Sequence, residues 1–233
     1  MAIMKVMKTL HFKYRNLFIL TMLLFAFASS SLSSEIVFVS QHTGGELMEV
    51  IEGMVVSFES VQDYEATFTK VELIGRKYVQ DVIKFSFKKP KLIRMEWVGP
   101  RKVRGQLAVY DPELGKIRAS PARLPITVTL DPEDKRVTGG SKYRIYDSDL
   151  GAITERVINT ARDASSIDLI ENDDHVLKVL IITDTLKGII WIDRNIGLPI
   201  KIEQYDHKDQ LIDRVFLENL KINIGLPDDM FHL

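Results

Sequence analysis

The sequence predicts an α+β fold that is mostly antiparallel β: a strongly curved sheet of about eleven strands covered by two main helices. Three observations predict it. About eleven segments carry the short length and period-two alternation of strands. These segments come in runs instead of alternating one by one with helices, which excludes a doubly wound α/β fold. Only two segments show the three- and four-residue spacing of an amphipathic helix. A sheet of this width curls strongly or closes, and the helices then cover its concave side or its mouth.

The elements follow in chain order. Lys5, Lys8, Lys13 and Arg15 precede a 12-residue apolar run, 17–28, broken only by Thr21. Small residues and serines follow. This is the three-part pattern of a secretory signal peptide, and the run is shorter than the roughly 20 residues a membrane span needs. Residues 1–33 are read as the signal, cleaved after Ala28 or within the serine run, and 34–233 as one domain. The alternative is an uncleaved N-terminal anchor. Segment 44–60 is the first helix, with Leu47, Val50, Ile51, Met54, Val55 and Phe58 on one face and Thr43 with Glu46 as a capping box. Strands are expected at 63–73, 83–88, 92–97, 103–110, 116–119 and 126–130. The second helix occupies 147–164, capped by Asp147 or Ser148, and a meander follows at 166–171, 175–183, 188–193, 198–206 and 211–223.

Composition narrows the function. The chain has 31 Lys+Arg and 32 Asp+Glu, and loss of the signal removes four bases and no acid, so 27 stand against 32. A mature charge near −5 disfavours nucleic acid, and disfavours anionic membrane surfaces through net charge alone. Absence of cysteine excludes disulfides, thiolate metal sites, a cysteine nucleophile and lipid attachment at an N-terminal cysteine. The histidines at 11, 42, 175, 207 and 232 lack metal-binding spacing, and the acidic runs at 131–134, 171–174 and 228–229 read as solvated turns. Gly139-Gly140-Ser141-Lys142 ends like a phosphate loop but lacks its first glycine and a clear following helix, so it reads as a turn. No nucleophile elbow is present. The expectation is a protein without cofactor or metal, and not an enzyme.

Several motifs in order carry a resemblance. A helix ending near Phe58 precedes the strand from Tyr64 to Glu72. A basic residue and a proline, Lys89-Pro90, separate two apolar strands. Val109-Tyr110-Asp111-Pro112 forms a turn, and Gly197-Leu198-Pro199, the 205–210 turn and 223–231 close the chain. Together they resemble the periplasmic lipoprotein-carrier superfamily of the LolA type. The resemblance implies an incomplete, half-open β-barrel of about eleven strands under a helical lid. It implies a lid contact at Lys89, where the family has arginine; lysine lacks that residue's planar fork. The chain stops at Leu233, soon after its last strand, which points to a relative without the dedicated carrier's extra hairpin.

The remaining signal is apolar. Ile83, Phe85, Phe87, Ile93, Met95 and Trp97 form two adjoining strand faces, and Trp191 and Tyr205 are expected to extend them. Such a stripe is either core filled beneath helices or, as the resemblance implies, the wall of a cavity that binds a lipid chain. The partners expected are a lipid or an acylated protein in the periplasm, and envelope proteins. The competing reading is an envelope-assembly interaction module with a filled core.

Overall fold

A computed structural model describes residues 44–138 and 141–233. The expected signal peptide, the expected Thr43 cap and the 139–140 glycine pair lie outside the described residues. Two main helices, α1 (Gly44–Glu59) and α3 (Leu150–Arg162), a single turn α2 (Lys135–Thr138), and eleven strands form the fold. The strands are β1 (Asp63–Ile74), β2 (Lys77–Lys88), β3 (Leu92–Gly99), β4 (Leu107–Asp111), β5 (Lys116–Ser120), β6 (Val128–Leu130), β7 (Ser166–Asn172), β8 (Val176–Ile182), β9 (Lys187–Asp193), β10 (Leu198–Tyr205) and β11 (Leu211–Ile222).

All eleven join one antiparallel sheet in the order β6-β5-β4-β3-β2-β1-β11-β10-β9-β8-β7, and it does not close. Sequence neighbours pair, as short connections dictate, except β6 and β7. β1 also pairs with β11, which brings the two ends of the strand series together at the centre. The free edges, β6 and β7, are consecutive in sequence. The chain between them therefore travels from one edge to the other, carrying α2 and α3. Register shifts at Glu65/Thr67, Val82/Ile83, Pro199/Lys201 and Gln204/Tyr205 mark bulges, which bend strands and raise local twist.

One face of the sheet is covered by the helices. Leu47, Ile51 and Met54 of α1 and Val157, Ile158 and Ala161 of α3 pack on Leu177, Val179, Ile181, Ile190 and Ile192 of β8 and β9. Leu150 and Ile153 of α3 pack on the β1–β3 half, with Tyr64, Phe68, Phe85, Phe87 and Ile93. The chain end turns back to the opposite, outer face, where Leu226 and Phe231 cover Val109. Buried Asp63 holds this return by accepting from the backbone N–H groups of Ile224, Gly225 and Leu226 at 2.8–3.2 Å.

The expected cap of the second helix is corrected. Asp147 belongs to a 3-10 turn, Ile145–Asp147, and Asp149 is the N-cap, its carboxylate accepting from Gly151 and Ala152 N–H. Two strand starts move as well. β2 begins at Lys77, six residues earlier than Ile83, through a segment exposed from Lys77 to Gln80 where burial imposes no alternation. β4 begins at Leu107 because Val103 and Gln106 are held in turns by the carbonyls of Pro100 and Val103.

Candidate functional site

Strand parity builds the site. On the covered face β1 presents Tyr64, Ala66, Phe68, Lys70 and Glu72, and β2 presents Phe87, Phe85, Ile83 and Asp81 opposite them. β3 continues the rows with Ile93, Met95 and Trp97, and β11 with Leu217, Val215 and Asp213. Each row therefore runs from apolar to polar toward the same end of the sheet. At the apolar end Phe85, Phe87 and Ile93 are at most 1% exposed, and Tyr64 stacks on both phenylalanines, at 5.7 and 5.2 Å between centroids. These side chains are packed as core beneath Leu150 and Ile153.

The other half is hollow. A cavity of about 420 Å³ lies between the β1–β3 wall and the segment carrying α2 and the Ile145–Asp147 turn. This lies within the size range of small-molecule sites. Phe68, Ile83, Met95 and Trp97 form its apolar floor, facing Val137 and Ile145. Lys70, Glu72, Asp81 and Tyr143 line its polar side.

The polar side is a fastening. Glu72, 3% exposed, accepts from Ser141 Oγ at 2.7 Å, Lys142 N at 3.0 Å and Lys70 Nζ at 3.1 Å. Its strand neighbour Asp213, 2% exposed, accepts from Tyr143 Oη at 2.8 Å and pairs with Lys142 Nζ at 2.6 Å. Two carboxylates at directly opposed positions repel, and the 141–143 segment supplies the donors that offset this. Burial pushes the Glu72 carboxyl up, but the bonds from Ser141 and Lys142 N–H and the Lys70 charge together outweigh it, and it titrates below its ordinary value. Burial, then the Asp213 charge, pushes the Tyr143 hydroxyl well up, so it stays a donor. Asp81 has no such shell. Burial raises its carboxyl and outweighs the opposing Lys70 charge.

Lys89 does touch the helical cover. Its ammonium donates to the Glu59 carbonyl at 2.7 Å and lies 5.5 Å from the Phe58 ring centroid, capping the last turn of α1. Ile83, Met95 and Trp97 line the cavity, whereas Phe85, Phe87 and Ile93 are filled core. Trp191 and Tyr205 are corrected to the outer face. Trp191 stands between Ile190 and Ile192, which take the covered side, and its ring lies under Lys201 at 4.0 Å and Lys178 at 5.0 Å. Tyr205 Oη donates to Glu203 at 2.5 Å on the same outer face. Both sides of β9 are apolar, so alternation alone does not say which side is covered. Lys70, Glu72, Asp81 and Asp213 went unnoticed in the sequence, although each keeps the parity of the apolar row beside it.

Among the described residues no group of three or more His, Asp or Glu is placed to hold a metal. No helix among them is long and apolar enough to cross a membrane.

No family model and no curated protein matches the chain in sequence. Solved structures match its fold. The Mycobacterium tuberculosis lipoprotein LppX is 8% identical at a TM-score of 0.51, over 79% of this chain and 99% of that one. An uncharacterised conserved protein from Thermus thermophilus is 10% identical at 0.50, over 79% and 91%. A LolA-superfamily protein from Nitrosomonas europaea is 11% identical at 0.40, over 82% and 98%. At these identities the likeness is one of fold. The open, helix-covered sheet implied by the LolA-type resemblance is the architecture found.

Proposed function

We propose that the protein is an exported, non-enzymatic carrier or binding protein that holds the apolar chain of a lipid or lipid-modified molecule in the cavity over Ile83, Met95 and Trp97. One observation carries the reading. A single apolar stripe is filled by α3 and its neighbours over Phe85, Phe87 and Ile93, yet remains open over its other half. An apolar floor left uncovered by the protein's own side chains gains by receiving a ligand chain, at about 0.8 kcal/mol per buried CH₂. Met95 suits varied ligands, because its flexible thioether adapts to their shape. The same cavity is what favours this reading over an envelope-assembly module with a filled core.

Residues 1–33 would deliver the protein to the periplasm as a signal peptide, and 34–233 would act there as one domain. No covalent step is required: the ligand enters and leaves by mass action, and an acylated envelope protein is one form it takes. The test is mass spectrometry of organic extracts from protein purified out of the periplasm, with titration of a fluorescent fatty acid. The expected result is co-purifying lipid and saturable binding that Trp97→Asp abolishes. Lipid-free protein that binds no fatty acid would contradict it.

A further inference from the structure

We propose that the rim of this cavity is a docking collar for an anionic lipid bilayer, so that the mouth opens against the membrane surface. The function assigned to the collar rests on the lipid-binding reading above. The turn between β1 and β2 and the loop between β3 and β4 stand side by side at the polar end of the sheet. Both wall the cavity, through Ile74 and Val79 on one and Lys102 and Val103 on the other.

These two stretches carry Arg76, Lys77, Arg101, Lys102 and Arg104, with no acidic residue in 74–80 or 97–110. All five cations are exposed. Arg104 donates to the Val98 carbonyl at 2.9 Å, and among the described residues none of the five sits in an ion pair. In a mature chain with more acids than bases, such a cluster is a local arrangement, hidden by the net charge. Large apolar side chains stand exposed among the cations: Tyr78 at 51%, Val79 at 40% and Val98 at 39%.

Of the acids near this end, Glu72 pairs with Lys70, Glu133 with Arg144 and Asp134 with Arg136, while Asp81 lies on the cavity wall and not in either loop. The adjoining β10–β11 turn, which Tyr78 Oη reaches through the Leu211 carbonyl, is balanced, with Asp209 paired to Lys187 and Asp206 bonded to the Lys208 and Gln210 N–H groups. The exposed charge of the two loops themselves is therefore positive.

Cations mixed with an interfacial tyrosine and exposed valines fit an anionic headgroup layer: the charges meet phosphates while the rings and branched chains enter the interface. Docked this way, a lipid chain passes between bilayer and cavity without crossing water.

The experiment is co-flotation of the mature protein with vesicles of phosphatidylcholine alone, or with phosphatidylglycerol added, at low and high salt. Wild type is expected to float with the phosphatidylglycerol vesicles and to be released as salt screens the charges. Each cation contributes about fivefold to partition, so Lys77→Gln/Arg101→Gln/Lys102→Gln, which removes three charges, is expected to lose about a hundredfold. The three positions are exposed, and an unchanged thermal transition shows that the variant is folded. Equal flotation with phosphatidylcholine alone, no flotation with either, or a folded triple variant that floats like wild type would overturn the proposal. Fatty-acid titration separates it from the cavity reading. Collar-dependent flotation without fatty-acid binding supports docking and removes the cavity ligand. Fatty-acid binding without flotation does the reverse.

Discussion

Phe85→Ala and Trp97→Ala should differ sharply, although both residues lie on one covered face of two paired strands. Phe85 is 0% exposed and stacks on Tyr64 and Phe68 at 5.7 and 5.6 Å. Truncation there leaves a void in packed core, which costs about 3–5 kcal/mol. For a domain of this size each kcal/mol lowers the melting temperature by about 2–4 °C, so a drop of about 6–20 °C is expected. Trp97 is only partly buried and faces space that is already open. Its truncation enlarges a cavity instead of creating one, so only the lost transfer term counts, about 1–2 kcal/mol. Urea unfolding followed by circular dichroism measures both, and fatty-acid titration of the two variants completes the assay. Phe85→Ala should lose stability while its folded fraction still binds; Trp97→Ala should lose binding while keeping most of its stability. A Trp97→Ala variant as destabilised as Phe85→Ala, or a Phe85→Ala cost below about 1 kcal/mol, would refute the division into a filled and a hollow half.

Lys89→Met removes the cation that caps α1 at the Glu59 carbonyl. It should cost about 1–2 kcal/mol and speed amide exchange in the last turn of α1, with Lys89→Arg largely restoring both. Glu72 gives a pH signature. Its folded carboxyl titrates below the ordinary 4.5, so its contribution is fully present above that pH and is lost as pH falls through the lower folded value. Glu72→Gln should therefore be less stable than wild type at neutral pH, with the gap closing below about pH 4.5 in denaturation curves taken across the acid range. Asp81 is shifted upward and acts in the opposite sense, so the comparison is cleanest in an Asp81→Asn background.

Most of the fold was legible because period two is imposed by burial on one side. Tyr64, Ala66 and Phe68, or Ile83, Phe85 and Phe87, announce both the strand and its covered face. Where that pressure lapses the reading failed. Lys77 to Gln80 are exposed, so the first half of β2 carries no pattern. The α3 cap was misplaced because Asp147, Ser148 and Asp149 are all competent caps, and only the 3-10 turn ending at Asp147 selects the last. Trp191 and Tyr205 were assigned by chemistry when β9 and β10 offer apolar residues on both sides. The polar wall was present in the parity of Lys70, Glu72, Asp81 and Asp213. What the sequence does not show is the partner segment, because Ser141, Lys142 and Tyr143 reach Glu72 and Asp213 from about 70 residues away in the chain. The cluster of cations in the two loops proposed as a collar was concealed differently: a formal net charge of −1 averages over loops that contain no acid.

The chain contains two tryptophans, one in the cavity and one on the outer face of the sheet, and this allows a direct test. In a Trp191→Phe variant all indole emission comes from Trp97; in Trp97→Phe it comes from Trp191. Titration of both with a brominated fatty acid, a contact quencher, should extinguish emission saturably in the first variant and leave the second unchanged. Quenching confined to the variant that retains Trp191, or absent from both, would contradict a lipid chain lying over Ile83, Met95 and Trp97.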